Sequence, residues 1–180
     1  MNLKGKNAIV TGGGRGLGKA VALLLAKEGV NIGITGRNEE NLKSTVEELK
    51  GLGIQAFYSI FSMDEETAVQ NGIANLAKDL GGIDILINNA GIGDFGSIAE
   101  MPSETWEQVI RTNLFGVFYA AKAVYPFLKE KGEGDVVNVA STAGLKGGPN
   151  MSAYAASKAA VVSLSQSMMA EWRKENIRVI

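Results

Sequence analysis

The chain has no histidine and no cysteine in its 180 residues. Serine–histidine–aspartate triads, cysteine nucleophiles, zinc–thiolate sites and disulfides are therefore excluded. Acid–base chemistry must come from Tyr, Lys, Asp, Glu or Ser. Long hydrophobic runs are missing too. The most apolar helical stretch, Ala20–Ala26, is bracketed by Lys19 and Lys27. It is too short to span a bilayer or to act as a secretion signal, so a cytoplasmic protein with no membrane partner is expected. An excess of either charge is also lacking. The 18 basic and 19 acidic residues leave a net charge of −1, and their scatter points to no nucleic-acid partner and no acidic tail.

What the chain has in excess is glycine, with 23 residues against a usual share of about 7%. Clusters at 12–14, 81–82 and 147–148 punctuate apolar runs, as turns and close backbone approaches do. With 46% apolar residues, the chain has enough material for one buried core, and residues 1–180 read as a single domain. No linker or repeat divides it.

Strand and helix signals alternate. Asn7–Thr11 is a short apolar strand that runs into Gly12–Gly18 and then into a helical stretch over Lys19–Glu28, with Gly29 as its stop. Asn31–Thr35 reads as a second strand, followed by a polar helix from Glu39 to Lys50. Ile54–Ile60 reads as a third strand, and Asp64 as the cap of a helix over Glu65–Asp79. A fourth strand covers Ile83–Asn88. Pro102–Ser103 opens a long helical region to about Glu130, which Pro126 is expected to kink or divide. Asp135–Ala140 is a fifth strand, a helix carries Tyr154, and Ile177–Ile180 starts a sixth strand. This alternation predicts an α/β fold: a doubly wound parallel sheet of the Rossmann kind, covered on both faces.

In such sheets ligands bind beyond the carboxyl ends of the strands. The distinctive residues fall there: Gly12–Gly18 after strand one, Arg37 after two, Asn88–Gly91 after four and Ser141 after five. The first of these reads T-G-x-x-x-G-x-G, with Thr11, Gly12, Gly16 and Gly18 in the fixed positions. Glycines before a helix N-terminus leave free N–H groups aimed at an anion such as a pyrophosphate. Arg37 stands where a carboxylate for the ribose of NAD would be expected, and no acid follows before Glu39. A guanidinium there suits a 2′-phosphate, and Arg15 could add a second charge. NADP is therefore expected over NAD, with solvated surface arginines as the plain alternative.

Tyr154 and Lys158 stand four apart in Met151–Ala160, on one helical face. A nearby ammonium favours a phenolate, and a phenol whose pKa is about 10 when unperturbed becomes a usable proton donor or acceptor. A core tyrosine beside a solvated lysine is the bland alternative. Ser141 and Asn113 each have a bland reading as a turn or helix cap.

Thr11–Gly18, Asn88–Gly91, Asn113, Ser141 and Tyr154-x-x-x-Lys158 together resemble the short-chain dehydrogenase/reductase family. The likeness runs along the whole chain and is greatest to the single-domain branch typified by 3-oxoacyl-[acyl-carrier-protein] reductases. It implies that Tyr154 is the general acid in carbonyl reduction and that Ser141 polarises the substrate carbonyl. Lys158 would tune Tyr154 and bind the nicotinamide ribose, and Asn113 would bend its helix and hold a water relaying protons to Lys158. Gly12, Arg15, Gly16, Leu17, Gly18 and Arg37 would bind the cofactor. Asn89, Ala90 and Gly91 would line its adenosine-ribose side.

The chain departs from the family pattern after strand three, where Phe61-Ser62-Met63-Asp64 stands in place of an Asp or Asn followed by an aliphatic residue against adenine. The resemblance also implies continuation beyond Ile180, through the rest of the last strand, a substrate lid and a seventh strand. In relatives the substrate pocket is built from the segments matching Gly93–Ser97 and Gly144–Met151. Here Leu145, Pro149 and Met151 suggest an apolar lining. The expected substrate is a small carbonyl compound such as a 3-oxoacyl thioester, free or carrier-protein-bound. The expected assembly is a homodimer or homotetramer, with Ala155–Ala160 and Phe115–Phe127 as candidate interfaces. The alternatives are an NAD-dependent alcohol dehydrogenase, an NAD-dependent epimerase-type enzyme, and an NADP-binding regulator or scaffold without turnover.

Overall fold

The computed structural model describes residues 3–180. Among these residues six strands form one sheet: β1 (Asn7–Thr11), β2 (Asn31–Gly36), β3 (Ala56–Ile60), β4 (Ile85–Asn88), β5 (Gly134–Asn138) and β6 (Ile177–Val179). Their order is β3-β2-β1-β4-β5-β6, and every pairing is parallel. The connecting helices are α1 (Gly16–Lys27), α2 (Glu39–Lys50), α3 (Glu66–Leu80), α4 (Ser103–Ile110), α5 (Gly116–Lys131) and α6 (Ser152–Trp172). This is the doubly wound arrangement expected from the alternation. The chain reverses its direction of winding between β1 and β4, the crevice where ligands bind in such sheets.

Period-two alternation divides the core. Ala8 and Val10 of β1, Ile32 and Ile34 of β2, and Ile85 and Ile87 of β4 face α1 and α2, where Ala22, Ala26, Leu42, Val46 and Leu49 meet them. Ile9, Leu86 and Val136 point the other way, onto Ile73 and Leu76 of α3 and Val124 and Leu128 of α5. Burying both faces explains why these strands read as near-continuous apolar runs.

Several boundaries differ from the sequence reading: β4 starts at Ile85 rather than Ile83, and β5 ends at Asn138 rather than Ala140. α1 starts at Gly16, inside the glycine loop, rather than at Lys19. β3 starts at Ala56 rather than Ile54, because the Gln55 amide is taken by the Asn31 side chain at 3.0 Å. Asp64 does not cap α3. Its Oδ2 accepts from Gln108 Nε2 at 2.8 Å, and the N-cap position is Glu65, with no side-chain bond. No division occurs at Pro126. α5 runs unbroken through it, since the residue lies on the solvent side of the helix, where a carbonyl left without its donor can be hydrated. The interruption comes earlier, as a π-helical turn over Arg111–Phe115 between α4 and α5.

Candidate active site

The loop from β1 to α1 is shaped by what a side chain would strike. A Cβ on Gly18 would lie 2.4 Å from both Asn89 Nδ2 and the Gly12 carbonyl oxygen. A Cβ on Gly13 would lie 2.5 Å from Ile34 Cγ2. Gly12 and Gly16 take left-handed φ angles of 67° and 55°, which glycine adopts without steric cost. α1 therefore begins hard against the sheet, with no side chain capping its N-terminus and no acid in its first turn. Its free amides and positive dipole end are left for an anion.

The loop is locked to the end of β4 by Thr11. Its Oγ1 accepts from the backbone N–H groups of Asn89 and Ala90, both at 3.0 Å, and Asn89 Nδ2 donates to the Thr11 carbonyl at 2.9 Å. The two glycine-bearing segments thus form the walls of one cleft of about 710 Å³, within the range of small-molecule sites. Gly12, Arg15, Gly16, Leu17, Gly18, Arg37, Asn89, Ala90 and Gly91 all line it.

The residues fit a dinucleotide on observations independent of the motif. Around Gly16 a Cβ would find open space, so this backbone faces the cleft and nothing fills it. Thr35 is 1% exposed, lines the cleft, and its Oγ1 has no hydrogen-bond partner in the protein. A buried hydroxyl of that kind is satisfied at low cost by a bound polar group.

At the β2 end, Arg37 and Arg15 are exposed on the cleft wall. Glu39, the first acid after β2, is already engaged: it accepts from Tyr58 Oη at 3.2 Å and pairs with Lys43 at 2.9 Å. Asp64 is held below the usual carboxylate range, chiefly by hydrogen bonds from Ser62 and Gln108 and in smaller part by the charge of Arg37. Phe61 is buried rather than turned into open space. Its ring lies where a Cβ on Gly72 would come within 2.3 Å of Cε1, so the residue that departs from the family pattern is absorbed under α3.

Of the other four predicted residues, Asn113, Tyr154 and Lys158 gather beside the Gly91–Ile92 end of the cleft, whereas Ser141 is tied to its own turn. Asn113, fully buried in the π-helical turn, clamps Ile92 by both backbone groups: Oδ1 accepts from its N–H and Nδ2 donates to its carbonyl, each at 2.8 Å. Nδ2 also donates to Ser157 Oγ at 3.1 Å, and Ser157 donates to the Tyr154 carbonyl at 2.7 Å. Both amide hydrogens are thus committed to protein acceptors. A Cβ on Gly91 would lie 3.2 Å from Asn113 Oδ1 and 3.6 Å from Lys158 Nζ, so these three residues converge.

Lys158 is 4% exposed. Its Nζ donates to the Val139 carbonyl at 2.7 Å and lies 5.8 Å from the centroid of the Tyr154 ring. Burial pushes its pKa below the ordinary lysine value. Ser141 lies three residues beyond β5. Its Oγ accepts from the Ala143 amide at 3.1 Å and so caps a short 3₁₀ turn over Thr142–Gly144. That turn presses on α6 at the level of Lys158, because a Cβ on Gly144 would lie 2.7 Å from the Lys158 carbonyl carbon.

Several participants are absent from the sequence reading: Thr35, Asn41, Ile92 and Thr112 on the cleft wall, and Ser157 as the hinge between Asn113 and Tyr154. Ile92 directly follows Asn88–Gly91 and could have been found by extending that motif. Ser157 sits among alanines and carries no signal of its own.

A profile of the short chain dehydrogenase family matches residues 6–180. The chain is 36% identical over 179 residues to the 3-oxoacyl-[acyl-carrier-protein] reductase FabG of Thermotoga maritima, covering 99% of this chain and 73% of that protein. It is 34% identical over 178 residues to the gluconate 5-dehydrogenase of Gluconobacter oxydans, covering 99% and 70%. Among solved structures, an NAD⁺-bound xylitol dehydrogenase superposes with a TM-score of 0.96 at 36% identity, covering 99% of this chain and 69% of that one. The match over nearly the whole chain, on a fold with this sheet order, shows that the chain belongs to the short-chain dehydrogenase/reductase family of oxidoreductases.

Proposed function

We propose that the protein reduces a carbonyl compound with NADPH, a 3-oxoacyl thioester being the reference substrate. The observation that carries this reading is the convergence of Gly91, Asn113 and Lys158 beside the Tyr154 ring, at the end of a cleft whose other end bears Arg15 and Arg37. Two guanidiniums beside an already paired Glu39 favour a phosphorylated ribose over a free 2′-hydroxyl.

When bound, the reduced nicotinamide supplies the hydride that adds to the carbonyl carbon. Tyr154 gives its phenolic proton to the carbonyl oxygen, so that an alcohol leaves and the tyrosinate is reprotonated from solvent. Lys158 holds its ammonium against the Tyr154 ring and Gly91, where it can reach a ribose hydroxyl. Ser141 would donate its hydroxyl hydrogen to the same carbonyl oxygen while its Oγ goes on accepting from the Ala143 amide. Asn113 acts as a positioning residue, fixing Ile92 on one side and, through Ser157, the first turn of α6 on the other.

The likeness to gluconate 5-dehydrogenase and to an NAD⁺-bound xylitol dehydrogenase favours a second reading, oxidation of a polyol with NAD. Titrating NADPH and NADH separately against protein fluorescence separates the two, with Trp106 and Trp172 as reporters. Tight NADPH with weak NADH, followed by NADPH consumption on a 3-oxoacyl thioester, is expected. The reverse preference, with NADH formed from xylitol, would establish the second reading, and dinucleotide binding without turnover of any substrate would mean a regulator. Carrier-protein delivery and assembly through exposed Phe115 and Phe118 complete the proposal; mass photometry reads the oligomer directly.

A further inference from the structure

The cleft is lined by two guanidiniums and, among the described residues, by no aspartate or glutamate. The acids that directly follow lining residues, Glu39 after Asn38 and Asp64 after Met63, are spent elsewhere. Glu39 pairs with Lys43 and accepts from Tyr58. Asp64 is turned to Gln108, and its Oδ1 is closed off from solvent.

Beside Asp64 the cleft wall carries a pair of hydroxyls, Ser62 just beyond β3 and Thr112 in the π-helical turn. One joint sets both. Gln108 Nε2 donates to Asp64 Oδ2 at 2.8 Å and to Thr112 Oγ1 at 3.2 Å, and the Asp64 carboxylate accepts from Ser62. A hydroxyl has one hydrogen and two lone pairs. Ser62 spends its hydrogen on the carboxylate and has an acceptor left to offer. Thr112 spends a lone pair on the Gln108 amide and keeps its hydrogen free to donate. The two hydroxyls therefore carry opposite polarity on one stretch of wall.

We propose that Ser62 and Thr112 receive the 6-position of the purine and make the site tolerant of the base, so that a 6-oxopurine dinucleotide binds about as well as one with adenine. This rests on the dinucleotide reading of the cleft. With the pyrophosphate at the N-terminus of α1 and the adenosine ribose at Arg37, the base is carried to the wall beyond β3, the strand next to β2 in the sheet. A 6-amino group donates and is met by the Ser62 oxygen. A 6-oxo group accepts and is met by the Thr112 hydrogen. Rejecting either one needs a group that repels it, such as a carboxylate set against a carbonyl oxygen, and no described residue lining the cleft supplies one. Selection then falls on the phosphates, through Arg15 and Arg37, rather than on the purine.

The test is calorimetric titration of the full chain with NADPH and with its hypoxanthine counterpart, reduced nicotinamide hypoxanthine dinucleotide phosphate, and then with the same pair lacking the 2′-phosphate. The two bases are expected to bind within about threefold of each other. Thr112→Val should weaken the hypoxanthine form by about three- to tenfold, the loss of one hydrogen bond, and leave the adenine form within about twofold. Thr112→Ser keeps the hydroxyl and should restore the tolerance. Ser62→Ala should weaken the adenine form instead. Adenine preferred by more than about threefold in the unaltered protein, or variants that weaken both forms equally, would overturn the proposal. Base tolerance in a protein that prefers the pair without the 2′-phosphate would leave it standing and sink the NADPH reading. A strict demand for adenine in a protein that still prefers NADPH to NADH would do the opposite.

Discussion

At the β1–α1 end of the site the cleft is made of backbone, whereas at the β5–α6 end the reacting groups are side chains held by buried hydrogen bonds. In the first region the limiting quantity is space: Gly13 and Gly18 sit where a single methyl group would overlap neighbouring atoms. In the second it is polar satisfaction: Asn113, Ser157 and Lys158 are buried, the first two spend all their side-chain hydrogens on named acceptors, and Lys158 gives one of its three to the Val139 carbonyl. The two ends should therefore fail differently, the first by losing affinity for the dinucleotide and the second by losing turnover or stability.

The largest expected effect belongs to the second region. Tyr154→Phe removes the proposed proton donor and should lower kcat by about 10²–10⁴-fold, with NADPH affinity within about twofold in a fluorescence titration. Full turnover in that variant would refute the assignment.

Asn113→Ala comes next, because it removes the partner of both backbone groups of Ile92, which is half-buried on the cleft wall. About 1–3 kcal/mol of stability should be lost in urea unfolding, given about 0.5–1.5 kcal/mol for each hydrogen bond removed. A loss of activity without any loss of stability would show that Asn113 does more than position its neighbours.

Gly18→Ala tests the space-limited region. It should cost about 1–3 kcal/mol through overpacking and weaken NADPH and NADH alike, since the damage falls on the shared pyrophosphate cradle. Arg37→Ala sharpens this by contrast. It should weaken NADPH by about tenfold, the equivalent of 1.4 kcal/mol, and leave NADH nearly unchanged. Equal losses for both dinucleotides would remove Arg37 from the 2′-phosphate.

The smallest effect lies outside the site, at the opposite end of the sheet. Asp84 is 3% exposed; it accepts from the Asn7 amide at 2.8 Å and is bonded by Lys131. Burial alone would raise its carboxyl, but the Lys131 and Asn7 hydrogen bonds, with the charges of Lys131 and Lys6, hold it below the ordinary 3.8. A carboxyl lowered by folding stabilises the protein above its unfolded value, and that stability is lost as pH falls through the folded one. Asp84→Asn should thus cost about 1 kcal/mol at pH 7 and flatten the fall in urea stability below about pH 4. An unchanged acid limb would mean that other carboxylates dominate it.

The contrast between the two regions also explains what could be read from the sequence. Glycine positions advertise a backbone-built cleft, because Gly12, Gly16 and Gly18 have no other reason to interrupt an apolar strand–helix junction. The pattern of apolar runs specified the strands to within about two residues, since both faces of the sheet are buried. Tyr154 and Lys158 were legible from their spacing on α6. The Asn113–Ser157 bond was not, as it joins residues 44 apart through two ordinary polar side chains. Pro126 misled because a proline signals a break only where its missing donor cannot be replaced by water, and here it faces solvent. Asp64 looked like a cap by position, yet α3 begins one residue later, with Glu65 at its N-cap, and the Asp64 carboxylate is turned to Gln108 of α4.

The π-helical turn at Arg111–Phe115 has one more consequence, which concerns rotation. An α-helix turns its side chains by about 100° per residue, and a wider turn of this kind accommodates an inserted residue without disturbing the chain on either side. It works as a phase adjuster, letting α4 and α5 each present the face that its own neighbours require. Deleting Thr112 should restore a regular helix with α4 and α5 each still on its own neighbours, Gly116 still against Met63, while Asn113 loses the wider turn that carries it inward. The extra residue therefore permits one continuous segment to carry a buried asparagine into the site and still close the core behind it.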